Sequence, residues 1–169
     1  DEWNVKEAYI IDPSGKKICD FKKNNLHLVG YSIPIEAHFS LKDLNKYLHS
    51  IPEKPTAIPY VTSYYTKSWG FCITDNERRK LKLGKYKVII KSTLKKGFLH
   101  YGEILIKGKT KKEILLSTYV CHPSLANNEV SGPIVTIFLS KWLKELKNKK
   151  YFYRIVFVPE TIGSIAYLS

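Results

Sequence analysis

The sequence predicts an α/β chain of the α+β kind, with a β-rich first region followed by a mixed sheet that contains one helical crossover. Three observations carry that prediction. Residues 113–119 (EILLSTY) and 154–158 (RIVFV) are short runs rich in branched apolar residues and bounded by polar or turn-forming segments, as buried strands are. Between them Ile134, Val135, Ile137, Phe138, Leu139, Trp142, Leu143 and Leu146 recur at three- and four-residue steps. Lys141, Lys144, Glu145 and Lys147 fall mainly on the other face. Residues 1–97 instead alternate short strand-like runs with turn residues, so the chain divides into a β-rich region 1–97 and an α/β region 98–169.

In chain order, residues 8–11 and 16–21 flank Asp12-Pro13-Ser14-Gly15 and read as a hairpin. Residues 27–33 and 86–92 are further strand candidates. Ser40-Leu41-Lys42-Asp43 resembles a capping box with Asp in place of Glu. Leu41, Leu44, Leu48 and Ile51 supply the apolar face of the helix it would open. Proline-bearing loops follow at Pro52, Pro55 and Pro59. In the second region, residues 99–106 and 113–119 are strands joined by 107–112, a connection short enough for an antiparallel hairpin. Ser131 caps the next helix and Pro133 suits its first turn, where no backbone N–H is needed. Asn148-Lys149-Lys150 ends it, where cations are favoured. Parallel strands joined by a right-handed crossover bring both carboxyl ends to one rim, and open α/β sheets bind ligands at that rim. His122, just past the first strand, and Glu160, just past the second, are thereby neighbours.

Composition bounds the function classes. A chain of 169 residues with 44% hydrophobic and 25% charged residues can bury a core as one domain or two small ones. No apolar run reaches the length of a membrane span, so no membrane partner is expected. Cys19, Cys72 and Cys121 form no Cys-x-x-Cys pair, which argues against a disulfide framework or zinc knuckle and makes a reducing cytoplasm the default location. The net charge of +13 invites a nucleic-acid reading. Yet of 28 basic residues only Arg78, Arg79 and Arg154 are arginines, and the lysines are dispersed, whereas phosphate and base readout favours clustered arginine forks. No specific nucleic-acid partner is expected. Tyr64-Tyr65 and the other tyrosines could stack on bases or sugars or pack in a small core, and their number does not choose between these. Cys121 beside His122 suggests a thiol ligand or nucleophile. Adjacent residues on an extended chain point apart, however, which favours a packed thiol. His27, His38, His49 and His100 show no ligand spacing.

His122-Pro123-Ser124-Leu125-Ala126-Asn127, Ser131-Gly132-Pro133 and Pro159-Glu160-Thr161-Ile162-Gly163-Ser164 resemble the M28-type zinc aminopeptidase-like family (DUF4910) of the zinc-exopeptidase superfamily. Asp1-Glu2-Trp3-Asn4-Val5, Leu26-His27, Gly30-Tyr31-Ser32, residues 58–65 and Trp69-Gly70-Phe71-Cys72 resemble the β-rich domain inserted in that family, a domain of unknown function (DUF2172). The resemblance implies a partial zinc-exopeptidase-like mixed sheet and a co-catalytic zinc hydrolase acting on a peptide or other amide. In such enzymes a histidine after a strand binds one metal, an aspartate at the next helix start bridges two, and a glutamate after the following strand is the general base. By position His122 is the ligand and Glu160 the base. The bridging place is held by Asn128, whose neutral amide is a poorer bridge. Glu129, the adjacent carboxylate, is rotated by about a quarter turn or more around the helix. Ser124 and Thr161 stand where the wider superfamily has further carboxylates. The family's remaining ligands lie beyond the span that Ser169 closes, so the resemblance implies a fragment with an incomplete site. A non-catalytic scaffold whose β-rich region binds a saccharide, peptide or protein partner is the alternative, and self-association is allowed by either. Relatives are also associated with surface-polysaccharide biosynthesis.

Overall fold

The computed structural model describes residues 2–122 and 125–169, and the chain forms two compact units, Asp1–Gly97 and Phe98–Ser169.

In the first unit β1 (Glu2–Ile11) and β2 (Lys17–Ile18) make the expected hairpin, with Ile10 opposite Ile18. Asp12 shapes its turn, because one carboxylate oxygen accepts the Ser14 and Lys16 amides, both at 2.9 Å. β1 starts earlier than its apolar run, since Trp3 and Val5 alternate with exposed residues and turn toward the core. β3 (Ile35–Ser40) follows, a strand whose alternation of Ile35, Ala37 and Phe39 with polar residues the sequence reading passed over. Next come α1 (Leu41–Leu44), β4 (Leu48–His49), β5 (Phe71–Cys72), α2 (Asp75–Arg78) and β6 (Lys85–Lys95). The main sheet has the order β2-β1-β6-β3 and is antiparallel throughout; β4 and β5 form a separate parallel pair. Ala8, Ile10, Leu44, Phe71, Tyr86, Val88 and Ile90 are essentially solvent-free and form the core.

Two expectations for this unit are corrected. Residues 27–33 are not a strand: Asn25–His27 form a 3-10 turn capped by the Asn24 side chain, and beyond it Leu28 and Gly30 make only isolated bridges, to Phe71 and Thr62. Tyr31 interrupts any ladder, because its backbone sits at φ +63, where a bulky residue costs about 1–3 kcal/mol. The helix after Ser40 keeps its capping box, with the Ser40 hydroxyl accepting the Asp43 amide and donating to the Asp43 carboxylate. It ends at Leu44 and tightens into a 3-10 turn over Asn45–Tyr47. Tertiary contact stops it: Arg78 donates to the Asn45 carbonyl at 3.1 Å, and Leu48 pairs with Phe71.

In the second unit β7 (Gly102–Ile106), β8 (Glu113–Tyr119), α3 (Ala126–Glu145), β9 (Phe152–Val158) and α4 (Ile162–Leu168) follow in order. β8, α3 and β9 form the expected crossover unit, with β8 and β9 parallel and Thr118 opposite Phe157. The expected β7–β8 hairpin does not form. The order is β7-β9-β8, with β9 inserted antiparallel to β7. Charge and burial explain the insertion. Ile155, Val156 and Val158 of β9 are buried, so this strand takes the centre, whereas β8 is largely exposed. Arg154 of β9 also donates to Glu113 of β8, at 2.6 and 2.9 Å, and to Glu103 of β7. The connection 107–112 passes along 149–152 so closely that a Cβ on Gly108 would lie 2.0 Å from the Tyr151 carbonyl oxygen.

α3 also differs from expectation. It begins at Ala126, ahead of the Ser131 cap, and Pro133 lies inside it. The Ser131 hydroxyl instead turns back to the Asn127 carbonyl at 2.5 Å, an in-helix bond. Leu139, Leu143 and Leu146 pack on Ile106 and Ile155, and Gly132 lets the helix approach β8, since a Cβ there would lie 2.5 Å from the Thr118 hydroxyl oxygen.

Candidate metal centre

Both strands of the crossover unit end at one rim. Past Tyr119 the chain leaves β8 with one more pairing, Val120 donating to the Val158 carbonyl at 2.9 Å, and then presents Cys121 and His122. Past Val158 it presents Glu160 and turns sharply at Thr161, whose backbone sits at φ +57. Strained non-glycine residues of this kind gather at functional sites.

The turn brings three donor side chains together. Cys121, His122 and Glu160 each offer a ligand atom within 4.8 Å of the others, and His122 Nε2 lies 3.2 Å from Glu160 Oε2. The His122 side chain is 17% exposed and that of Glu160 51%, so the carboxylate reaches solvent while the imidazole is largely covered. Cys121 departs from the expectation of a packed thiol, because the residue is exposed and its side chain only partly covered. The argument that neighbours point apart holds on a strand, and β8 has ended at Tyr119. Partial burial, reinforced by the Glu129 and Glu160 carboxylates, raises the Cys121 thiol above its ordinary value; the Glu160 backbone N–H opposes the shift.

Asn128 and Glu129 lie beside this group and are engaged differently. The Glu129 side chain is buried, accepting the Cys121 amide at 2.7 Å through one oxygen and the Asn128 side-chain amide at 3.1 Å through the other. The Asn128 carbonyl oxygen accepts the Tyr119 hydroxyl at 2.7 Å. Burial, then the charges of Glu129, Glu160 and Cys121, raises the Tyr119 phenol, which keeps it a donor. Among the described residues the sequence-predicted His122 and Glu160 are thus brought together, with Cys121 added, while Asn128 and Glu129 brace the Tyr119–Cys121 strand end. Ser124 lies outside the described residues, and Thr161 supplies the turn after Glu160.

The donor set fits zinc. Imidazole, thiolate and carboxylate are its usual ligands, and Cys121, His122 and Glu160 supply one of each within 4.8 Å of one another. Among the described residues no helix is long and apolar enough to cross a membrane.

Comparison with known proteins places this geometry among relatives. The chain is 49% identical over 168 residues to a Clostridium acetobutylicum protein described as a candidate polysaccharide biosynthesis protein with an aminopeptidase-like domain. It also superposes on the crystal structure of a candidate peptidase from Clostridium acetobutylicum with a TM-score of 0.93, at 48% identity. Each match covers 99% of this chain, which spans 38% of the length of the first protein and 39% of the second. The similarity to these two proteins, one described as having an aminopeptidase-like domain and the other as a candidate peptidase, therefore extends over nearly the whole length of this mixed α/β chain. Residues 2–93 match the model of the domain of unknown function DUF2172, and the chain belongs to that family.

Proposed function

We propose that this chain carries part of the catalytic apparatus of a zinc-dependent, M28-type aminopeptidase-like hydrolase acting on a peptide or other amide. The observation that carries the reading is the convergence of Cys121, His122 and Glu160 at the carboxyl ends of two parallel strands. His122 Nε2 and Cys121 Sγ would hold the ion. Zinc bound there supplies Lewis acidity toward a carbonyl and acidifies water. Glu160, half exposed, is the general base that takes a proton at Oε2, and that oxygen stands 3.2 Å from the imidazole nitrogen that would hold the ion. Glu129 holds the Cys121 amide and so sets the direction in which the two donors leave β8. The description of the Clostridium relative as aminopeptidase-like supports the same chemistry.

A second reading, a non-catalytic relative of that fold, draws on Asn128. It stands where the family has a bridging aspartate, and its carbonyl oxygen is bonded to Tyr119.

Zinc per chain, measured by elemental analysis after purification without chelator, tests the first reading. About one zinc lost on His122→Ala, together with metal-dependent cleavage of an aminoacyl anilide, supports the hydrolase. No bound zinc overturns it in favour of the second reading.

A further inference from the structure

We propose that the aromatic step formed by Tyr31, Tyr64 and Tyr65, with Tyr60 at its side, is a saccharide subsite on the first unit that takes consecutive pyranose rings of an oligosaccharide. Tyr31 stacks on Trp3 with ring centroids 5.6 Å apart and planes 16° from parallel. Tyr64 then lies 4.9 Å from Tyr31 at 60°, and Tyr65 lies 6.3 Å from Tyr64 at 64°.

The step is built from the backbone up. Tyr31 is held at φ +63, a conformation its side chain disfavours, and every neighbour of that strained residue is pinned. The Trp3 indole N–H donates to the Ser32 carbonyl at 3.0 Å, and the buried Ser92 hydroxyl donates to the same oxygen at 2.7 Å. The Gly30 amide donates to the Val61 carbonyl at 2.9 Å, and the Ser63 amide returns to the Gly30 carbonyl at 3.0 Å. These bonds fasten the tyrosine-bearing loop to the strained residue.

A tyrosine retained for packing loses its surface. Here Tyr64 keeps 46% of its surface exposed, Tyr60 44% and Tyr65 100%, although strained backbone and a hydrogen-bonded loop hold the rings in order. A pyranose is amphipathic in the matching sense, with a C–H face for an aromatic ring and a hydroxyl rim for phenol oxygens. The Tyr60 and Tyr64 hydroxyls are hydrogen-bonded to each other at 3.3 Å, which sets two phenol oxygens side by side at the edge of the step. Turns of about 60° between successive rings follow a sugar chain whose residues rotate along its length. A polyproline helix docks instead in a groove between aromatic side chains. The four side chains are phenols with no carboxylate, ammonium or guanidinium group among them, so a neutral sugar is the matching ligand.

The test is calorimetric titration of the full chain with cellohexaose and with the hexamer of N-acetylglucosamine, at about 0.05 and about 0.5 M NaCl. At least one hexasaccharide should bind with little dependence on salt. Tyr64→Ala should weaken binding about tenfold and Tyr65→Ala about threefold. Because Tyr65 is fully exposed, its substitution leaves the fold intact and keeps the result interpretable. Absence of binding by both sugars at millimolar concentration, or binding indifferent to both substitutions, overturns the proposal. So does binding of a proline decamer in their place, which reassigns the step to peptide.

Discussion

His122 Nε2 and Glu160 Oε2 lie 3.2 Å apart although 38 residues separate them in the chain. Two parallel strands and one crossover helix produce that distance. His122 and Glu160 follow β8 and β9 by only a few residues, so the sheet register, with Tyr119 opposite Val158, sets how closely they approach.

The first prediction separates ligand from base. His122→Ala should abolish zinc retention. Glu160→Gln should keep the metal while lowering amide hydrolysis by about 10²–10⁴-fold, the range for loss of a general base. Elemental analysis beside single-substrate kinetics reads both, and equal metal loss in the two variants would make Glu160 a ligand.

Glu129 should matter for stability before chemistry. Its buried carboxylate satisfies the Cys121 amide, so Glu129→Ala leaves that N–H without its partner and should cost about 1–3 kcal/mol in urea unfolding. Glu129→Gln retains an acceptor oxygen and should cost less.

Gly132→Ala should destabilise the protein even though alanine is the better helix former by about 1 kcal/mol. The new Cβ would fall 2.5 Å from the Thr118 hydroxyl oxygen, on a short branched side chain that cannot swing away. A net loss of about 1–3 kcal/mol is expected. Introducing Gly132→Ala into a Thr118→Ala background should remove most of the loss, and a double-mutant cycle in denaturant checks this.

Stability should fall in mild acid through His49. Burial, with Arg78 nearby, depresses its folded pKa below the ordinary value of 6.5, so the unfolded chain binds a proton more readily than the folded one. The sign follows: stability is complete above the unfolded value and is lost as pH falls through about 6.5 toward the lower folded value. His49→Gln should flatten the urea midpoint between about pH 7 and about pH 5.5, and an unchanged slope would remove His49 as the cause.

Much of the second unit was legible from periodicity. EILLSTY and RIVFV are strands, the three-and-four spacing between them is a helix, and handed crossover topology then brings His122 and Glu160 to one rim. The helix start is not legible in the sequence, because Ser131 and Pro133 look like a cap and a first turn. In the structure Asn128 and Glu129 are tied by side-chain bonds to β8 and the residue after Val120, and those contacts accompany a helix that extends back to Ala126. Cys121 escapes the rule for extended chain, because β8 ends at Tyr119 before it. A signal was present in its place next to His122, but not one that could be weighed without the loop's geometry.

Local pattern alone was enough for the strands of residues 113–119 and 154–158, the capping box at Ser40, the turn at Asp12 and the pairing of His122 with Glu160, because each depends on residues a few positions apart or on the handedness of one crossover. The insertion of β9 between β7 and β8, the left-handed backbone of Tyr31 and the recruitment of Cys121 were settled by folding in three dimensions. Each follows from contacts between distant residues, namely Arg154 with Glu103 and Glu113, Tyr31 with Trp3 and Tyr64, and Glu129 with the Cys121 amide. Their energies outweigh local preference only when the folded chain brings the partners together.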